Sequence, residues 1–256
     1  FSSIHLLGYN LTPREQVMED GHRLLNSKNV VELEQILTGL NDADRTDSGW
    51  PMKTYFYERL IPLGPPRWEK PIKAKRLCDR YLESFGETPE YRSLKVQYLL
   101  MVAYRAVRLG LDGQKKLENR DEFIVPYLEE ASRLLQETPP QERDSLWYLQ
   151  EAWCLRLKDS DLTEWIVNVR EAYPEHPELL IAFSYEEGLD VSAIEAEIAK
   201  RNLSRKSADI LYAQVITTLL EHHFRNQESF SASVNWDRPM NGLLLLSQRH
   251  PTAYNY

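Results

Sequence analysis

The sequence predicts an all-α fold, a stack of irregular helical hairpins, and three observations carry that expectation. First, one turn recurs. Phe85-Gly-Glu-Thr-Pro89-Glu-Tyr91, Tyr173-Pro-Glu-His-Pro177-Glu-Leu179 and Gln248-Arg-His-Pro251-Thr-Ala253 each end an amphipathic stretch and put a proline where a new helix begins. Proline suits the first helical position because its φ is already helical and its missing N–H is not needed there. Second, glycine is scarce, 10 in 256 residues, whereas β-rich and α/β folds need it at their tight turns. Third, helix-start signals are frequent and alternating β-branched runs are absent.

Element by element, Thr12-Pro13-Arg14-Glu15 starts a helix to Leu25, with Thr12 as cap and Glu15 closing the box. Asn29 starts a short helix to Leu37, and residues 41–49 read as a polar loop. A helix from Pro51 to Leu60 ends at Pro62-Leu-Gly-Pro-Pro66, because prolines cannot supply the N–H groups a helix needs. The next spans Arg67 to Phe85, with a disturbance expected at Pro71. The segment from Pro89 to Leu109 is apolar on nearly all sides around Leu99–Tyr104, the pattern of a central, buried helix. Ile124, Tyr127, Leu128, Ala131, Leu134 and Leu135 repeat at helical spacing. Pro139-Pro140 opens a helix with Leu146, Leu149, Trp153 and Leu157 on one face. Asp161-Leu-Thr-Glu164 and Ser192-Ala-Ile-Glu195 are two further capping boxes. Ser204 caps a helix to Phe224 that turns Ala208, Leu211, Tyr212, Val215 and Leu219 inward, and a last helix spans Trp236 to Ser247. The expectation is about twelve helices in one domain over residues 1–256, with a candidate division into sub-blocks 1–62 and 63–256.

Composition narrows the classes. Hydrophobic residues make up 42% and charged residues 27%, values of a globular protein with a real core. A net charge of −8 argues against binding a phosphate backbone, so no nucleic acid partner is expected. No apolar run approaches the ~20 residues a membrane span requires. The chain opens on Phe1 rather than Met, so an upstream piece is expected to have been removed, and Pro251–Tyr256 reads as the first turn of a further helix. Cytoplasm is the expected compartment, with the periplasm as the alternative if a signal peptide preceded Phe1. Cys78 and Cys154 read as small buried thiols.

Candidate chemistry is sparse, and no cofactor, metal or catalytic residue is expected. Asp42-Ala-Asp44-Arg-Thr46-Asp47 suggests calcium, but counting from Asp42 the sixth and twelfth positions hold Asp47 and Lys53, where an EF-hand needs glycine and glutamate. A solvated acidic loop is the better reading. His222-His223 point about 100° apart on a helix and cannot chelate one ion together. His176 and His250 read as turn residues. Glu129-Glu130, Glu186-Glu187 and Glu195 with Glu197 are carboxylate pairs of the kind that arise by chance in an acidic helical chain.

The richest segment is Trp50 to Trp68. Trp50, Thr54, Tyr57 and Ile61 share one helical face, while Met52 and Tyr55 lie on another side. Aromatics on two sides need a second neighbour, either another helix or a partner. Trp50, Tyr55 and Trp68 are therefore nominated for partner binding. So is the basic face of Lys73, Arg76 and Arg80, whose plain reading is a solvated helix surface.

Tyr173 to Pro177 resembles the close of a tetratricopeptide repeat, though that repeat's early Trp-Leu-Gly-Tyr spacing is missing. The spacing from Pro177 to Pro251 is about two units of ~34 residues, while Pro89 to Pro177 is no clean multiple. Tyr104-Arg-Ala-Val-Arg-Leu-Gly110 followed by residues 123–135, and Asn235-Trp236-Asp-Arg-Pro-Met240 followed by Leu243–Ser247, His250 and Pro251, resemble a bacterial helical family catalogued only as a domain of unknown function. That resemblance implies a tetratricopeptide-like, right-handed superhelix and brings no catalytic residues with it. The function expected is non-catalytic binding of a protein or peptide, as an adaptor or a toxin-neutralising immunity protein. A hydrolase with carboxylates in a helical cleft is the alternative, and a regulatory sensor for a peptide or small ligand is a third reading.

Overall fold

The computed structural model describes residues 13–26, 29–44, 51–62, 70–111, 120–186, 190–222 and 234–249. Among the described residues there are twelve α-helices, one 3-10 turn over Pro140–Glu142 and no strand. The helices are α1 (Pro13–Asn26), α2 (Val30–Gly39), α3 (Met52–Leu60), α4 (Lys70–Phe85), α5 (Pro89–Leu111) and α6 (Arg120–Gln136). Then come α7 (Ser145–Leu157), α8 (Thr163–Ala172), α9 (Pro177–Glu186), α10 (Val191–Lys200), α11 (Arg205–His222) and α12 (Asp237–Arg249).

Local chemistry sets most boundaries. Asn29 caps α2 by accepting the Glu32 N–H at 3.1 Å, and Ser204 accepts the Ser207 N–H at 3.1 Å at the head of α11. Gly86 ends α4 with φ +75, a left-handed value that only glycine adopts without strain. Thr88 then caps α5 through the Tyr91 N–H at 3.1 Å, with Pro89 at the first helical position. Pro71 leaves Lys70–Phe85 unbroken, because a first-turn residue donates no intrahelical bond. Two expected boxes start differently. Asp161 accepts the Thr163 N–H and hydroxyl, and Asp190 does the same for Ser192. In the first, Asp161 reaches its i+2 amide rather than the i+3 amide of a box; in the second, Asp190, two residues before the expected cap Ser192, makes the same aspartate turn. Pro126 inside α6 removes one helix bond on an exposed face. Thr12, Trp50, Trp68, His223, His250 and the third Pro turn past Arg249 lie outside the described residues.

Packing follows chain order. α4, α5, α6 and α7 pair in sequence, as do α9, α10, α11 and α12. A second set of contacts joins α5 to α7, α7 to α9 and α9 to α11, so alternate helices form a continuous row. α1 packs on α3 and α4, α2 on α4 and α5, and α3 reaches across to α7. The central position expected of α5 is observed: Leu94, Leu99, Leu100, Met101 and Ala103 are all buried, and α5 touches α2, α4, α6 and α7. Both cysteines are free and buried, with Cys78 Sγ 3.7 Å from the Leu94 carbonyl and Cys154 Sγ 3.8 Å from that of Leu128.

Candidate functional site

Two cavities stand out. The larger, about 700 Å³, is an open cleft between the starts of α11 and α12, lined by Arg205, Lys206, Asn235, Asp237 and Arg238. Its buried acid, Asp209, is already satisfied by Arg238 Nε at 3.1 Å and Asn241 Nδ2 at 2.9 Å. The smaller, about 200 Å³, lies where α3, the first turns of α5, the end of α6 and the start of α7 converge. It is the better candidate, because it contains a polar group left unsatisfied.

That group is the Tyr57 hydroxyl. Tyr57 is 1% exposed, and its hydroxyl makes no hydrogen bond. Ser93 is the side chain that would stabilise its anion, but it stands outside hydrogen-bond geometry. Burial pushes the phenol well above its ordinary range, and the charges of Asp144 and Glu90 push it further. The hydroxyl is therefore neutral at any physiological pH, able to donate and to accept.

The surrounding groups are held by helix starts. Asp144 caps α7 by accepting the Trp147 N–H at 2.8 Å through one oxygen, and its other oxygen pairs with Lys53 of α3. Arg92 on α5 pairs with Glu142 at 3.3 Å. Gln150 donates to the Ser93 carbonyl at 2.9 Å and to Gln97 at 3.2 Å, and Gln97 donates to the Ile61 carbonyl at 3.1 Å. This chain ties α7 to α5 and to the end of α3. Glu90, in the first turn of α5, lines the cavity without an ion pair among the described residues.

Asp42 supports the same region, which corrects the solvated reading for that residue; residues 45–49 of the loop lie outside the described residues. It accepts the Ser145 N–H at 3.0 Å, the Ser145 hydroxyl at 2.8 Å and the Tyr173 hydroxyl at 2.7 Å. The loop after α2 is thus a tether across the start of α7 and the end of α8. Among the described residues no cluster of three or more His, Cys, Asp or Glu is placed to hold a metal ion.

The nominated binding residues are scattered. Tyr55 is 8% exposed and belongs to the main core cluster, with the Arg59 guanidinium 4.9 Å from its ring centre. This corrects the expected outer-surface position. The second neighbour that α3's two-sided pattern demands is supplied by other helices, α1 and α7. Lys73 donates to Asn26 of α1 at 2.8 Å, Arg76 is exposed, and Arg80 is half-buried. Of those carboxylates, Glu197 pairs with Arg170 and Arg201, Glu130 with Arg133, and Glu195 lies 3.8 Å from Arg238, while Glu187 lies outside the described residues. His176, expected in a turn, is buried there against Tyr173.

Sequence reasoning missed the cavity because its residues come from separate segments with no motif spacing. One signal was present: Lys53 and Tyr57 are one turn apart, a cation beside an aromatic assigned to the core. No family model, no curated protein and no solved structure matches this chain.

Proposed function

We propose that this chain is a non-catalytic binding module, a tetratricopeptide-like right-handed stack of helical hairpins that recognises a protein or peptide partner. The hairpin order and the row of alternate helices α5, α7, α9 and α11 support that architecture. The observation that carries the function is the cavity at Tyr57. A buried hydroxyl without a partner costs folding free energy, and its position in a small cavity framed by ion pairs suits an incoming group. Two of the three carboxylates there are already engaged, Asp144 with Lys53 and Glu142 with Arg92. The net charge of −8 and the bacterial resemblance favour an adaptor or an immunity protein acting in the cytoplasm. Exposed Arg76 is the basic-stripe residue best placed to make a further contact.

The test is partner retention. A protein recovered from source-cell lysate on the immobilised full chain is titrated calorimetrically against the parent and against Glu90→Lys. Binding lost with an unchanged melting temperature supports the reading, and undiminished binding removes the cavity from it.

One observation favours the hydrolase alternative. Burial raises the Glu151 carboxyl to about 7, with Arg143 opposing and Glu164 pushing it further, the direction a general acid needs. Glu151 lines neither of the two cavities described above, and binding is the better reading.

A further inference from the structure

We infer that the cavity between α3, α5 and α7 receives an ammonium or guanidinium group, the tip of a lysine or arginine side chain presented by a protein partner. The inference rests on the binding reading above and assigns its ligand chemistry.

Size comes first. At about 200 Å³ the cavity is below the ~300 Å³ at which pockets begin to hold drug-sized ligands, and it suits a single side chain. Its walls are divided accordingly. Val96, Leu135 and Trp147 offer apolar surface for an aliphatic stem, and the polar groups offer a place for its charged end.

Charge decides the sign. Two cations and three carboxylates line the cavity. Lys53 is paired with Asp144 and Arg92 with Glu142, which leaves the charge of Glu90 uncompensated. The Tyr57 hydroxyl reports the resulting field, because Asp144, Glu90 and Glu34 all act on it as negative charges. Glu34 feels the same crowding: burial and then Glu90 raise its carboxyl. The helix starts do not reverse this field. The first turn of α5 is capped by Thr88, and that of α7 by Asp144 and Asp42, so their positive ends are already met. An anion entering here would join three carboxylates beside a buried oxygen. A cation donates to that oxygen and to Glu90 and relieves both.

The experiment uses the full chain and five small probes: the Nα-acetyl methylamides of lysine, arginine, norleucine and glutamate, and putrescine. Binding is followed by calorimetry at low ionic strength, for the parent, Tyr57→Phe and Glu90→Gln. The lysine and arginine probes should saturate, and the norleucine and glutamate probes should not. Each variant should melt like the parent, since neither loses a hydrogen bond or an ion pair, and should weaken the lysine probe about tenfold or more. Equal binding of norleucine or glutamate overturns the proposal, as does unchanged affinity in Glu90→Gln or the absence of any saturable binding. A large loss of stability in Tyr57→Phe would show that the hydroxyl is bonded within the fold, and overturns it too. Putrescine binding more tightly than the lysine amide overturns the assignment to a protein side chain and leaves a free-amine site, which ends the partner reading. A lysate partner that binds Glu90→Gln like the parent ends the cation assignment alone.

Discussion

Burying Glu197 beside Arg201 takes two charges out of water and draws the half-buried Arg170 against them. Glu197 is 2% exposed. Arg170 meets it with two nitrogens at 3.1 and 2.8 Å, while Arg201 approaches at 3.4 Å and also donates to the Tyr173 and Pro174 carbonyls. Burial lowers the Arg201 guanidinium, and Glu197 is what holds it charged. Glu197→Ala should therefore cost roughly 3–5 kcal/mol in urea melts, because breaking one side of a buried pair strands the other. A loss of only a few tenths would show the arginines finding water. Tyr55→Ala should cost roughly 3–5 kcal/mol as well, the range for a buried aromatic; a parent-like melt would return Tyr55 to the surface role first expected of it. Glu151 gives the pH dependence. The folded state holds its proton up to about 7, above the ordinary carboxylate value near 4.5. Its stabilising contribution is thus complete below the ordinary value and lost as pH rises through about 7. Urea midpoints should fall from pH ~5 to pH ~8 in the parent, and more shallowly in Glu151→Gln. Equal slopes would exclude Glu151 as the source.

At the scale of the element, α12 lies close against α11. A Cβ on Gly242 would stand 2.0 Å from the Asp209 carbonyl oxygen and 2.7 Å from Ala213 Cβ. The first obstacle is backbone, which cannot rotate away. Gly242→Ala should cost about 3 kcal/mol or more, and tryptic cleavage at Arg238 and Arg249 should quicken while α4–α7 stays resistant. Unchanged digestion would mean that α12 slides to accommodate the methyl. Nothing in the local sequence announces this crossing, because Gly242 stands mid-helix without a turn signal. Helix starts were legible for the opposite reason: Asn29 and Ser204 act on amides within three residues of themselves, and Pro89 marks its own first helical position. The aspartate turns at Asp161 and Asp190 were harder to read, since carboxylate and hydroxyl compete for the same amides and only geometry decides. Tyr55 was ambiguous in principle, because a two-sided pattern on α3 demands a second neighbour without saying whether it is another helix or another protein. The cavity was hidden for a related reason: Lys53, Tyr57, Glu90, Asp144 and Gln150 meet only once α3 has crossed to α7.

Across the whole molecule, most buried hydrophobic side chains among the described residues fall into three clusters. One runs from α1 to α7, a second joins α7, α8 and α9, and a third joins α9, α10 and α11 with Val234. Neighbouring clusters share only shoulders: Tyr148 and Trp153 flank the first two, and Phe183 flanks the second and third. α9 is the bridge, since it packs on α7 on one side and on α10 and α11 on the other. Cores connected in a row transmit instability to a neighbour through its interface rather than through one common centre. Leu219 is buried in the third cluster, and Leu219→Ala should cost roughly 2–5 kcal/mol there. Native-state hydrogen exchange should then show lost protection in α10–α12, a smaller loss in α9, and unchanged protection in α4–α7. Protection lost evenly from α4 to α12 would mean that the three clusters unfold as one. The Tyr57 cavity belongs to the first cluster's side of that bridge, so binding of the lysine probe should survive Leu219→Ala at concentrations where the variant remains folded. Loss of the probe together with the α10–α12 protection would tie the site to the far end of the stack, a coupling carried by α9 and by the Arg170–Glu197 pair between α8 and α10.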